Sequence, residues 1–122
     1  LDTPSLFARS LGEAGELQSF MAGQASFHRH LVLPLDADPA EQGELWEAAR
    51  VWNCDWTALT RVDLCRRPGK LLDLLGRVSS PFSLVAGGSW PGSQPNLARP
   101  DALLRLCVGA ALPAPAAAAA TA

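Results

Sequence analysis

His28 and His30, which flank Arg29, are the first residues in this chain whose types and spacing could do chemistry. In an extended segment, residues at i and i+2 face the same way, so both imidazoles could reach one metal ion or one proton. A metal centre needs three or four ligands, and the only distant candidates are Cys54 and Cys65, whose spacing shows no convergence. With Cys107 the cysteines are odd in number and form no C-x-x-C pair, which argues against a disulfide framework and a structural zinc site and leaves reduced thiols. A Cys–His pair assembled by folding would make a small hydrolase using Cys54 or Cys65. No local signature marks a nucleophile, and the histidines read as ordinary loop or surface residues. No residue is assigned a catalytic, metal-binding or cofactor-binding role.

The carboxylates Asp36, Asp38, Glu41, Glu44 and Glu47 form a cluster in sequence. Asp38 and Glu41 are better read as helix-capping residues, and Glu44 and Glu47 as a solvent face, than as a general acid and base. Gly87-Gly88 lacks the G-x-G-x-x-G or G-x-x-x-x-G-K context that cradles phosphate, so nucleotide binding is not expected. The net charge of −2 and the small cluster Arg66-Arg67-Lys70 exclude the broad basic surface that nonspecific nucleic-acid binding requires. Arg105, Pro113 and Pro115 interrupt the longest apolar stretch, Leu103 to Ala122, so the chain reads as soluble or membrane-peripheral.

The elements that must position these residues centre on Asp38 to Leu64. Asp38 is a good N-cap, Pro39 fits the first helical position and Asn53 can close the helix in a left-handed conformation. Leu45, Ala48, Ala49 and Trp52 fall at helical spacing and form its core face. Asp55 or Thr57 then caps a second helix in which Ala58, Leu59, Val62 and Cys65 repeat that spacing, with Trp52 and Trp56 filling the core around the corner. Further short helices are predicted from Thr3 to Leu11, from Glu13 to Ala22, from Leu71 to Val78 and from Asp101. The fold class expected is therefore all-α, a small bundle of short helices. Residues 1–78 form its domain, with an extended insertion at 23–37. A Ser/Pro/Gly-rich arm at 79–99, a short helix at 100–112 and a low-complexity Ala/Pro tail at 113–122 follow.

Phe7 to Met21 and Ala49 to Thr57 resemble the two halves of the small helical leader-peptide domain named after nitrogen-fixation gene clusters, over residues 7–64. Asn53 stands where that family has Gly, and residues 23–37 are an insertion its compact form does not need. The resemblance implies a leader that modifying enzymes recognise and that is cut after a double glycine. Leu84-Val85-Ala86-Gly87-Gly88 is similar to that site and would release Ser89 onward. The segment released has one Cys and very few Ser or Thr to modify.

The leading expectation is a non-enzymatic accessory subunit that binds and stabilises a larger protein complex through its arm and tail. Trp90 stands isolated between prolines and glycines, and the helix from Asp101 is separated from the main apolar cluster by a stretch without periodicity. Trp90, Leu103, Leu106, Pro113 and Pro115 are the expected partner-binding residues. The Ala- and Pro-rich composition and the missing initiator Met point to an organellar protein, of a chloroplast or mitochondrial complex in photosynthesis or respiration, that has lost a targeting peptide. A cytoplasmic protein is the alternative. No cofactor and no small-molecule substrate are indicated.

Overall fold

The run His30-Leu31-Val32-Leu33-Pro34 is short, apolar and ended by a proline, and it forms strand β1, His30–Pro34. A computed structural model describes residues 11–24, 26–88 and 94–112 of the chain. In chain order these give helix α1 (Leu11–Ala22), β1, helix α2 (Pro39–Val51) and strand β2 (Trp56–Thr60). A single 3-10 turn (Val62–Leu64), helix α3 (Lys70–Arg77), strand β3 (Phe82–Val85), strand β4 (Asn96–Leu97) and helix α4 (Pro100–Cys107) complete it. The strands make one sheet in the order β1-β2-β3-β4. The first three are parallel and β4 is antiparallel to β3.

The fold is therefore α/β, and the expected all-α helical bundle is corrected by this four-stranded sheet. The supposed second helix of the corner is β2, the most buried strand, with Thr57, Ala58 and Leu59 all inside. Its apolar residues satisfy a helical spacing as well as a buried run, and neighbours on both edges decide for the strand. The extended insertion at 23–37 contains β1, and the presumed arm contains β3 and β4. Asp55 caps no helix: its carboxylate accepts from the Arg29 N–H at 2.8 Å, while the Arg29 carbonyl accepts from the Asp55 and Trp56 N–H groups at 2.9 and 3.1 Å. That exchange ties the entry of β2 to the entry of β1.

Helix α2 follows its capping residues. The Asp38 carboxylate accepts from the Ala40 N–H at 2.8 Å, and Asn53 adopts a left-handed φ of 50° after the last turn. Helices α3 and α4 are the short helices expected near those positions.

Leu33, Leu59 and Val85 occupy matching positions on adjacent strands and so share one face of the sheet. Leu45 of α2, Leu71 and Leu74 of α3 and Leu106 of α4 pack onto that face, with Leu35 and Val62 at its carboxyl end. Parallel neighbours require long crossovers, and both crossovers here lay their helices on this same side. At the β1 edge the Gln42 amide, buried in α2, donates to the Pro34 carbonyl at 3.0 Å and the Leu35 carbonyl at 3.2 Å. A polar side chain thus satisfies backbone acceptors where the ladder ends.

Leu59 is fully buried at the centre of this core. Leu59→Ala is expected to lower unfolding free energy by about 3 kcal/mol through lost burial and a residual cavity, read from the urea midpoint at unchanged m-value.

Candidate ligand crevice at the carboxyl edge

Each parallel strand ends at the same rim of the sheet, and the backbone turns there toward the helices. Beyond β1 lie Leu35 to Asp38, beyond β2 Arg61 to Cys65, and beyond β3 Ala86 to Gly88. Ladder hydrogen bonds continue past the strands and hold these turns together. The Leu35 N–H donates to the Thr60 carbonyl at 2.9 Å, Ala86 N–H to Leu59 at 2.8 Å and Val62 N–H to Ala86 at 3.3 Å.

Arg61 takes the left-handed conformation, φ 55°, unusual for a residue with a side chain. Its guanidinium pairs with the Asp36 carboxylate at 2.8 Å and so links the turns after β1 and β2. Lys70 of α3 donates to the Ala37 carbonyl and closes the same rim from the helix side.

Two cavities open at this rim. One of about 730 Å3 lies between the β1 turn and α3, with Asp36, Asp38, Cys65, Arg67, Lys70 and Asp73 in its wall. The other, of about 550 Å3, is bounded by Leu35, Val62, Asp63, Gly87, Leu106 and Leu112. Its walls are largely apolar, and the Asp63 carboxylate has no ion-pair partner among the described residues. Cys65 lies in both walls, and its S–H donates to the Arg67 carbonyl at 3.4 Å.

Gly87 sets how closely the β3 turn approaches this carboxylate. A Cβ at that position would stand 2.6 Å from Val62 Cγ2 and 3.2 Å from both the amide nitrogen and Oδ1 of Asp63. The requirement is steric and comes from backbone drawn against a neighbouring turn.

The residues singled out from the sequence are dispersed. His28 and His30 are both exposed. The His30 ring nitrogen Nδ1 lies 3.0 Å from Ser83 Oγ, and that hydroxyl also lies 3.2 Å from the Thr57 carbonyl. One hydroxyl proton cannot serve both acceptors, so with Ser83 donating to Thr57 the imidazole donates to Ser83 and does not act as its base. Among the described residues, none of the three cysteines shares a hydrogen bond with a histidine, and no group of three His, Cys, Asp or Glu could hold a metal ion.

Cys54, Cys65 and Cys107 are free thiols, each half-buried. Burial pushes the Cys54 thiol up, Asp55 adds to the rise and Arg29 partly offsets it. Burial also raises Cys107, against a smaller opposing backbone hydrogen bond.

The acidic cluster divides into separate structural tasks. Asp36 pairs with Arg61, Asp38 caps α2, and Glu47 makes an exposed pair with Arg50 at 3.6 Å. Trp56, expected in the core, instead lies on the opposite sheet face and stacks on His30 with ring centroids 6.4 Å apart. Leu106 is buried in the core and Leu103 packs against it, while Trp90, Pro113 and Pro115 lie outside the described residues.

The residues that sequence reasoning passed over are Arg61, Asp63 and the steric role of Gly87. Their signal is positional, Thr60-Arg61-Val62-Asp63 closing one strand and Ala86-Gly87-Gly88 closing the next, and it becomes legible only when both segments are strands.

Comparison with protein-family models, with curated proteins and with solved structures finds no match. Among the described residues no helix is long and apolar enough to cross a membrane.

Two outcomes check this geometry. Gly87→Ala is expected to destabilise the fold by about 1–3 kcal/mol and to shift the Val62 and Asp63 amide resonances. Gly76→Ala, in α3 with open space around it, is expected to stabilise by about 0.5–1 kcal/mol. The raised Cys54 thiol keeps its proton at neutral pH, so alkylation there is expected to be slow, rising only above the ordinary thiol range. The same sign makes its contribution to stability present below the ordinary thiol pKa and lost as pH climbs through the raised one. Rapid Cys54 labelling at pH 7 in the folded protein contradicts that assignment.

Proposed function

We propose that this chain is a ligand-binding α/β unit that holds a flat, N–H-bearing heterocycle, of the kind found in a nucleotide base, in the crevice at the carboxyl ends of its parallel strands. The observation that carries the reading is the position of the 550 Å3 cavity, bounded by residues that directly follow β1, β2 and β3. Loops at the carboxyl ends of parallel strands are a common place for ligands in α/β sheets; the order β1-β2-β3-β4 has no reversal, so the crevice here is formed by the turns themselves together with α4 and the residues after it. The volume lies in the range of small-molecule pockets.

The chemistry of the walls supports a heterocycle over a phosphate. Leu35, Val62, Leu106 and Leu112 supply apolar faces, and Asp63 supplies a carboxylate that accepts hydrogen bonds. The N-terminus of α2, where a phosphate would otherwise sit, is occupied by its own Asp38 cap and flanked by Asp36. The absence of a phosphate-cradling motif beside Gly87-Gly88 agrees with this division.

The function proposed is binding without a covalent step. Burial that raises the Cys54 and Cys107 thiols, and a Ser83 hydroxyl that donates to the Thr57 carbonyl, support it. A peptide-precursor role has less support. Cleavage after Gly88 would cut off β4 and α4, whose Leu106 belongs to the core beneath β3.

The test is titration of the purified chain with a panel of nucleosides and nucleotides, followed by amide chemical shifts. The expected outcome is saturable shifts at Val62, Asp63, Gly87 and Gly88 for one base class, little changed by adding phosphates. Asp63→Ala is expected to weaken that binding at least tenfold while leaving the urea midpoint in place. Absence of shifts at this rim with every base overturns the reading.

A further inference from the structure

Along one side of the 550 Å3 cavity, the turn after β2 lies against the turn after β3 and the two present hydrogen-bonding groups of both kinds. The acceptor is the exposed Asp63 carboxylate. It has no ion-pair partner among the described residues, and the cation nearest to it in sequence, Arg61, is held by Asp36 at 2.8 Å. The donors belong to the backbone. The N–H groups of Asp63, Gly87 and Gly88 donate to no backbone carbonyl among the described residues, whereas those of Val62 and Ala86 beside them are committed to the Ala86 and Leu59 carbonyls. A Cβ on Gly87 would stand 3.2 Å from both Oδ1 and the amide nitrogen of Asp63, so acceptor and donors lie within one residue's breadth of each other.

That pairing of groups decides which heterocycle edge fits. A carboxylate accepts hydrogen bonds and offers none, and its two oxygens accept side by side. Its match is an edge with two adjacent N–H donors. Guanine has that edge, a ring N–H beside the 2-amino group, and the neighbouring ring carbonyl calls for a donor. The backbone N–H groups beside Asp63 supply one. Adenine and cytosine set an acceptor ring nitrogen beside the amine, and uracil flanks its N–H with two carbonyls, so on each of these one carboxylate oxygen would face a lone pair.

We infer that the crevice selects the 2-amino-4-oxopyrimidine edge carried by guanine and by pterins. The Asp63 oxygens accept from the ring N–H and the 2-amino group, and a backbone N–H where Asp63 meets Gly87 donates to the ring carbonyl. The inference rests on the proposed binding of a flat heterocycle in this cavity, and it adds which heterocycle is taken and which residue chooses it.

The experiment titrates the full chain with guanosine, inosine, xanthosine, adenosine, uridine and pterin, read from amide chemical shifts. Guanosine or pterin is expected to bind about tenfold or more tightly than inosine, which lacks only the 2-amino group of guanosine, and than adenosine or uridine. The order of guanosine and pterin then tells a nucleoside ligand from a free pterin. Asp63→Asn, nearly isosteric and at an exposed position, is expected to keep the urea midpoint and to change the choice of base. An amide accepts from the ring N–H and donates to a 2-oxo group, so xanthosine is expected to outbind guanosine in that variant by about tenfold. Inosine, adenosine or uridine binding as tightly as guanosine and pterin, or a preference unchanged in Asp63→Asn, overturns this inference and leaves heterocycle binding standing. No shifts at Val62, Asp63, Gly87 or Gly88 with any of the six overturns both.

Discussion

Parallel pairing of β1 with β2 and of β2 with β3 is the constraint on which the rest of the molecule depends. A parallel neighbour cannot be reached by a tight turn, so each pairing demands a crossover, and α2 and α3 are those crossovers. Thr57 and Leu59 are buried on the face that the helices cover, and Ala58, on the other face, is small and flanked by Val32 and Leu84 on the neighbouring strands. The Arg29–Asp55 exchange fixes where the first pairing begins, and the Gln42 amide satisfies carbonyls where it ends.

The same constraint creates the candidate site. Because the three strands run the same way, their carboxyl ends open onto one rim, and the turns beyond them bring Asp36, Arg61, Asp63 and Gly87 within one neighbourhood from distant parts of the chain. Arg61 accepts a left-handed backbone there, of a kind that disfavours side chains by about 1 kcal/mol or more, and its ion pair with Asp36 spans the two turns. Apolar walls beside a single exposed carboxylate offer a surface for stacking and one acceptor for a hydrogen bond.

The two faces of the sheet differ for a related reason. Crossovers of one hand, applied to strands added in one direction, place α2 and α3 on one side, and α4 packs there with them. The core therefore forms against Leu33, Leu59 and Val85, and the alternate residues of the same strands are left as the uncharged row through Val32 and Leu97. A chain that is complete in backbone pairing at its centre is thus unequally covered on its surfaces.

By itself the sequence determined the local features whose causes are local. The Asp38 cap, the start of α2 at Pro39, its left-handed end at Asn53 and the short helices α3 and α4 depend on neighbouring residues alone, and each is present. The three cysteines were likewise legible as free thiols. Tertiary structure decided the strands. Trp56 to Thr60 carries apolar residues at spacings that serve a helix or a buried strand, and Phe82 to Val85 is too short for any period to show; only pairing across the chain distinguishes them. The candidate crevice was invisible for the same reason, since Asp63 and Gly87 become neighbours only when β2 and β3 lie side by side and parallel, and no spacing along the chain encodes that contact.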